Sequence, residues 1–462
     1  PHDYLKWNSA GANEGDLVFV SGHPGTTDRL NTVAQLEYAR DVQRPVVLSF
    51  LNGRLAALRA YEKTSPEAAR QARDLIFGLE NSLKAYRGEY GGLLDKAVMD
   101  KKAAEERDLR NRVDAKPELK AEYADAWTVI ASVLQKAAST YQARFYSRIE
   151  RSQADLPGIA MTIVQYATEV TKPDAERLPG FNDAQLESLR FALFSPAPVY
   201  PAMDEALVSS WLAEGLKTLG PDNAYIKTVL GGRLPADVAR EVIGGTKIGD
   251  PAVRRTLVEG GVAAVNASSD PLIVLARKLD PLVREQQKWV ETNVDGPLAA
   301  ASEKIGSARF AVYGNTVSPD ATFTLRLSFG TVKGYAMNGT VAPPKTTIFG
   351  LYDRSLGFGG RAPFNLPDRF LKRRDRLDLS TPVNFVTTND VVGGNSGSPV
   401  VNRDGQLVGL IFDGNIESLV GTYVYNEENN RSVAVHTAYI IEALRKLYDA
   451  DRLADELEGK GR

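Results

Sequence analysis

An α+β protein of two or three domains is the fold class this sequence predicts, with a large helical block set between a short β segment and a β domain. Three observations carry it. At 462 residues the chain is longer than one ordinary hydrophobic core organises. From residue 31 to about 300, apolar side chains recur at helical spacing. From about 305 to 435 the pattern changes to period-two alternation with Gly- and Pro-marked turns. The divisions fall at 1–30, 31–300 and 301–462.

In the first segment Leu17, Val18, Phe19 and Val20 form a short apolar strand, and Gly22-His23-Pro24-Gly25 reads as a loop. In the second, Leu51, Leu55, Leu58 and Tyr61 mark one helix face. Ser65-Pro66-Glu67 is a helix start, a cap residue followed by Pro at the first helical position. The helix it opens is expected to pass Leu75, Leu79, Leu83 and Tyr86 and to reach as far as Arg112. Lys116-Pro117-Glu118 breaks it, and a further long helix carries Trp127, Ile130, Leu134 and Tyr141. Shorter helices follow, with Pro-rich joints such as Ser195-Pro196-Ala197-Pro198 between them.

In the third segment Thr322 to Phe329 alternates faces as a half-buried strand does. Asn402-Arg403-Asp404-Gly405 is a hairpin signal between Pro399-Val400-Val401 and the strand Leu407 to Phe412. A final amphipathic helix is expected over 437–457, with Ile440, Ile441, Leu444, Leu447 and Tyr448 on one face. Spacing alone leaves two topologies open: a helical insertion into a β scaffold, or consecutive α and β domains.

Composition excludes several functions. A net charge of −2 gives no electrostatic pull toward nucleic acid or an anionic membrane. The absence of cysteine removes disulfides, thiol nucleophiles and cysteine metal sites. The histidines are His2, His23 and His436, and no pair has the spacing of a helical zinc motif, so neither metal nor cofactor is expected. No apolar run is long enough to span a bilayer.

The chemistry-bearing segment is Thr388-Asn389-Asp390-Val391-Val392-Gly393-Gly394-Asn395-Ser396-Gly397-Ser398-Pro399-Val400. A serine between glycines sits on a backbone able to bend sharply, exposing its hydroxyl and freeing N–H groups to face a developing negative charge. Gly394-Asn395-Ser396-Gly397-Ser398-Pro399 resembles the nucleophile turn of chymotrypsin-like peptidases. The Gly-x-Ser-x-Gly elbow of α/β-hydrolases does not fit, because Ser398 replaces the last glycine and a hairpin follows where a helix is needed. In such a turn the N–H groups of Gly394 and Ser396 form the oxyanion hole, one donor being worth about 3 kcal/mol of barrier. The alternative is a Gly/Ser-rich surface loop without chemistry. Serine needs a base and an orienting acid. Of the candidates, His2 lies near the start of the chain, His23 in a turn after a strand and His436 on the approach to the last helix. No local feature marks any of them as a base.

The resemblance extends further. With Ala321 to Ser328, the serine segment and Gly409-Leu410-Ile411-Phe412-Asp413-Gly414-Asn415, the chain is similar to the bacterial dipeptidyl-peptidases of serine peptidase family forty-six. Glu14 to Val20 and Asn81-Ser82-Leu83-Lys84 look like segments of the same family. The resemblance implies a chymotrypsin-like double β-barrel with a large α-helical cap domain inserted into it. Residues 1–30 would then end a first barrel that is otherwise missing, 31–300 would form the cap, and 301–462 the second barrel with the nucleophile and the C-terminal helix.

By the same resemblance Ser396 is the nucleophile and Gly394 supplies an oxyanion-hole N–H. Asp413 and Asn81 bind the substrate's α-ammonium group. Gly414 stands where the family sets specificity, and glycine there implies a hydrophobic or aromatic penultimate (P1) residue. Peptides with a free N-terminus are the expected partners, with no nucleic acid and no membrane span; a homodimer and a periplasmic or cell-surface location also follow from the family. The family's catalytic His and Asp segments do not occur in this sequence. The chain is therefore expected to be a C-terminal fragment of a serine-type dipeptidyl aminopeptidase, inactive alone. Two alternatives stand beside this: a catalytically inactive peptide-binding protein with a peptidase-like fold, and a peptidase that uses His23 as an unconventional base.

Overall fold

The computed structural model describes residues 3–460. His2 lies outside them. The chain is α+β and divides into two compact units. One comprises Pro1–Asn31, Gly88–Asp100 and Thr316–Arg462; the other comprises Thr32–Arg87 and Lys101–Asn315.

The second unit is helical. Ser65 starts the helix Pro66–Leu94 as expected, its hydroxyl accepting from Ala68 N at 3.0 Å. That helix does not continue to Arg112. Asp95 interrupts it and accepts from Ala97 N at 2.8 Å, so that a new helix, Lys96–Asp114, begins. Pro117 opens the next short helix, and Trp127, Ile130, Leu134 and Tyr141 all lie on Ala126–Tyr146. The main core gathers around Trp211, which meets Phe50 edge-on at 5.6 Å and Tyr146 at 5.1 Å. Asp204, fully buried, caps the helix Asp155–Glu169 by accepting from Asp155 N at 3.1 Å and Leu156 N at 2.8 Å. Burial pushes its carboxyl up to about 6 despite those donors.

The first unit is built on a seven-stranded antiparallel sheet. In chain order its strands are β1 (Leu17–Gly22), β2 (Arg326–Thr331), β5 (Lys345–Thr347), β6 (Pro382–Thr387), β7 (Pro399–Asn402), β8 (Leu407–Gly414) and β9 (Ser432–His436). A separate ribbon, β3 (Tyr335–Met337) with β4 (Thr340–Ala342), lies between β2 and β5 in sequence. The spatial order is β2-β1-β7-β8-β9-β6-β5. Residues 1–30, expected at the end of another barrel, instead place β1 between β2 and β7 of this same sheet. The sheet curls until β2 reaches β6: Thr388 N donates to Thr331 O at 3.0 Å and Lys333 N to Val386 O at 3.2 Å. Val18, Val20, Phe385, Val400, Val408, Ile411 and Ala434 fill the inside.

The hairpin at Asn402-Arg403-Asp404-Gly405 forms as read. Asn402 Oδ1 accepts from Asp404 N at 3.0 Å and Gln406 N at 2.9 Å, and Gly405 takes φ +72°. Two expectations change. The strand forms only over Arg326–Thr331, where the apolar Leu327 and Phe329 face outward on the outermost strand of the order; before it Thr322, Phe323, Thr324 and Leu325 are all exposed, and Phe323 takes φ +61°. The inward side is left to Arg326, Ser328 and Gly330. The final helix splits into Thr437–Lys446 and Asp451–Leu457, because Asp449 adopts φ +51° while its carboxylate binds Arg373 at 2.5 Å and Arg376 at 3.1 Å.

Candidate active site

The segment after β6 is held from its first residue. Thr387 Oγ1 donates to Asn389 Oδ1 at 2.7 Å, and Asn389 Nδ2 donates to Val18 O at 3.4 Å. Gly330 lets this backbone pass close, since a Cβ there would lie 2.5 Å from Asn389 N. The turn itself is closed by Asn395, whose N and Nδ2 both donate to Val392 O, at 3.2 and 3.0 Å. Gly394 (φ +104°) and Gly397 (φ +86°) take the left-handed conformations that expose Ser396 between them.

Hydrogen bonding around the serine is selective. Asn395 N, Gly397 N and Ser398 N donate to Val392 O, Ile411 O and Asn395 O respectively. The N–H groups of Gly394 and Ser396 have no acceptor among the described residues. Two unspent donors flanking an exposed hydroxyl are what an oxyanion hole requires.

The loop Gly22-His23-Pro24-Gly25 packs on this turn. Gly25 N donates to Gly393 O at 2.7 Å, and a Cβ on Gly394 would come within 2.5 Å of His23 O. On Gly22 a Cβ would lie 2.1 Å from Ser398 Oγ. The His23 ring is exposed and tilts against Phe323 with 6.2 Å between centroids; no hydrogen bond joins it to Ser396. His436 is buried and serves as a helix cap, its Nδ1 accepting from Ala438 N at 3.1 Å. Burial, helped by the Lys345 charge, lowers its pKa to about 4. A neutral, enclosed cap of this kind is a structural group.

Asp413 and Gly414 end β8. Gly397 N donates to Ile411 O at 2.7 Å and Ile411 N to Ser398 O at 2.9 Å, so the turn is bonded to the strand two residues before Asp413. A register shift between Ile411 and Asp413 then re-aims the strand. Asp413 is half-buried and accepts from Gly414 N at 2.8 Å. Asn415 is a buried junction: it donates to Asn429 O at 2.7 Å and accepts from Ser418 N at 3.0 Å and Arg431 N at 2.9 Å. Asn81 lies on an exposed position of the helix Pro66–Leu94, in the helical unit.

Sequence reading missed Arg29, Asp390 and Tyr425. Arg29 grips Asp390 with Nη1 at 2.6 Å and Nη2 at 2.8 Å, and Tyr425 donates to Thr388 O at 2.5 Å. With Val392, Leu327 and Phe329 these residues line a groove of about 570 Å³. Nothing local announces the pair, because its members are 361 positions apart. Among the described residues no group of three or more His, Asp or Glu side chains is placed to hold a metal ion. No helix of the described residues is long and apolar enough to cross a membrane.

The family model described as Peptidase S46 matches residues 1–459. Among curated proteins, the Asp/Glu-specific dipeptidyl-peptidase of Shewanella putrefaciens is 27% identical, over 99% of this chain and 67% of its own length. Dipeptidyl-peptidase 7 of Capnocytophaga gingivalis is 24% identical, over 98% of this chain and 64% of its own. The chain thus spans about two thirds of the length of these relatives. Among solved structures, Porphyromonas endodontalis DPP11 with the dipeptide Arg-Asp shares the fold at TM-score 0.77 and 20% identity, covering 99% of this chain and 66% of that one.

One expectation is corrected by these comparisons. The hydrophobic or aromatic second residue read from Gly414 is overturned by the Asp/Glu-specific relative. The physical reason lies beside Gly414. A Cβ there would sit 2.2 Å from Ser418 Oγ and 3.5 Å from Arg431 O, so the space is already filled, and by polar atoms. The missing side chain does not open an apolar pocket.

Proposed function

This chain belongs to the Peptidase S46 family, and on that premise we propose that the protein carrying it is a serine-type dipeptidyl aminopeptidase that releases dipeptides from free peptide N-termini. The observation that carries the reading is the pair of unspent N–H groups, on Gly394 and Ser396, flanking the exposed Ser396 hydroxyl. In the proposed reaction Ser396 Oγ attacks the carbonyl after the second residue. The oxygen that becomes negative is received by those two donors, each worth about 3 kcal/mol of barrier. Asp413 faces the substrate's α-ammonium group as a charge-assisted acceptor, with Asn81 as a second acceptor. The base and acid that activate Ser396 come from parts of the protein outside this sequence; the cap role of His436 and the lack of a His23–Ser396 hydrogen bond support this. A preference for Asp or Glu as the second residue is proposed from the names of the relatives.

The double-barrel arrangement belongs to the same reading, supported by the curl that brings Thr388 to Thr331. So do export to the periplasm or cell surface, checked by cell fractionation, and a homodimer, checked by light scattering. The deciding experiment gives the full-length protein dipeptidyl substrates with free and with blocked N-termini, second residues ranging over Glu, Asp, Phe and Lys. Release from free termini only, favouring the acidic residues and lost in Ser396→Ala, is the expected result. Equal cleavage of blocked substrates removes the amine site. Peptide binding without turnover favours the inactive binding protein.

A further inference from the structure

We propose that Arg29 and Asp390 form a positioning pair that fixes the Ser396 turn and the backbone after Gly414 in one frame; the proposal rests on the serine peptidase reading above.

An oxyanion hole works only if its N–H groups are already aimed, and a misplacement of about 1 Å can cost about a hundredfold in rate. The stretch 388–394 belongs to no strand or helix, and two of its residues are glycines. Its start is well held: Thr388 bonds to Thr331 in both directions at 3.0 Å, and Asn389 reaches Val18. Between Asn389 and Asn395, the outside anchors come from one short segment. Gly25 N holds Gly393 O, and the Arg29 guanidinium holds the Asp390 carboxylate at both oxygens.

Arg29 has a further donor in use. Its Nε donates to Gly421 O at 2.8 Å, in the 3-10 segment Ile416–Thr422 that follows Asn415. One planar cation therefore spans the loop that precedes the nucleophile and the segment that follows Asp413 and Gly414. The base of the cation is fixed in turn. Asp320 accepts from Thr27 Oγ1 at 2.6 Å, Arg29 N at 2.9 Å and Leu30 N at 3.0 Å, and Asp28 N donates to Thr422 O at 2.9 Å. The Tyr425 ring lies 5.9 Å from the guanidinium, and its hydroxyl holds Thr388 O.

The geometry needs arginine. Three donors in a rigid plane reach two carboxylate oxygens and a carbonyl at once, which a lysine ammonium on a flexible stem cannot reproduce. Both side chains line the open groove, 26% and 38% exposed, so the pair contributes little to global stability. Its loss is expected to appear in catalysis ahead of folding.

The test uses the full-length protein and the variants Arg29→Met, Arg29→Lys, Asp390→Asn and the exchange Arg29→Asp/Asp390→Arg. Three quantities are read: kcat and KM on a free-N-terminus dipeptidyl substrate, the rate at which a fluorophosphonate labels Ser396, and Tm. Expected are a fall of about ten- to a hundredfold in kcat and in labelling rate for Arg29→Met and Asp390→Asn, with KM within about threefold and Tm nearly unchanged. Arg29→Lys is expected to recover only part of the rate, and the exchange less, since Gly421 loses its donor. Rates within about twofold of wild type, or losses that track a falling Tm, overturn the positioning role. If wild type takes the label but releases no dipeptide, the dipeptidyl-peptidase reading fails while the label still reads the pair. If it does neither, both fail.

Discussion

Gly397 N and Ile411 O are joined at 2.7 Å, and the return bond from Ile411 N to Ser398 O is 2.9 Å. Through these two bonds the serine turn and the strand ending in Asp413 move as one backbone piece. The proposed nucleophile and the proposed amine acceptor are thereby kept at a fixed spacing, which suits an enzyme that measures two residues from a free terminus.

Substituting Gly394 tests the turn. Gly394→Ala places a Cβ at φ +104°, 2.5 Å from His23 O and 2.7 Å from Gly25 N. We expect a stability loss of about 2 kcal/mol and a fall in kcat of at least about a hundredfold. Urea unfolding and steady-state kinetics on the full-length protein check both; a variant with wild-type kcat removes Gly394 from the oxyanion site.

Asp413→Asn keeps the shape of the side chain and removes its charge. For substrates with a free N-terminus, kcat/KM is expected to fall about a hundredfold, close to 3 kcal/mol for a charged hydrogen bond. The rate at which a fluorophosphonate labels Ser396 is expected not to change. Equal losses in both would assign Asp413 to the backbone at Gly414 instead of to the substrate.

His436 sets an acid limit on stability. Folding lowers its pKa from 6.5 to about 4, chiefly by burial. The unfolded chain therefore binds the extra proton first as pH falls. The contribution is complete above about pH 6.5 and is lost progressively down to about pH 4, at most about 3 kcal/mol. His436→Asn keeps a capping oxygen and removes the titration, so its unfolding free energy is expected to vary less between pH 7 and 4.5. An unchanged acid slope would show that other groups dominate.

The outward apolar side of β2 predicts association. Leu327 and Phe329 are 67% and 72% exposed on the outermost strand. Residues 1–462 expressed alone are expected to self-associate, and Leu327→Lys/Phe329→Lys is expected to shift sedimentation toward monomer with little change in Tm. Monomeric behaviour of the unsubstituted chain would contradict this.

Signals carried by near neighbours are legible in the sequence, and contacts made at long range are not. The Ser65-Pro66 start, the Asn402–Gly405 hairpin and the two positive-φ glycines around Ser396 each express chemistry among near neighbours. From Arg326 to Gly330 β2 does have two unlike faces, but alternation alone cannot tell where the strand begins or which face the rest of the chain covers. Gly414 misled for a related reason: glycine implies space, and the group that fills it, Ser418, arrives through a turn that residue types alone do not announce. Arg29 carried no signal, since an arginine after a loop is ordinary until its partner is known.

The register of β1 against β2, from Leu17↔Thr331 to Gly22↔Arg326, is that of two arms of a hairpin. Its connecting loop is an entire helical domain. Closing so long a loop is entropically cheap once the domain folds by itself, because the cost grows only with the logarithm of length. For protein engineering this makes the helical unit a detachable part. Thr27 and Asp320 already clasp the two chain ends at 2.6 Å, and Gly88–Asp100 belongs with the sheet, so Gly/Ser bridges in place of 32–87 and 101–315 are expected to leave the sheet and its serine turn able to form, a minimal scaffold onto which other caps could be grafted.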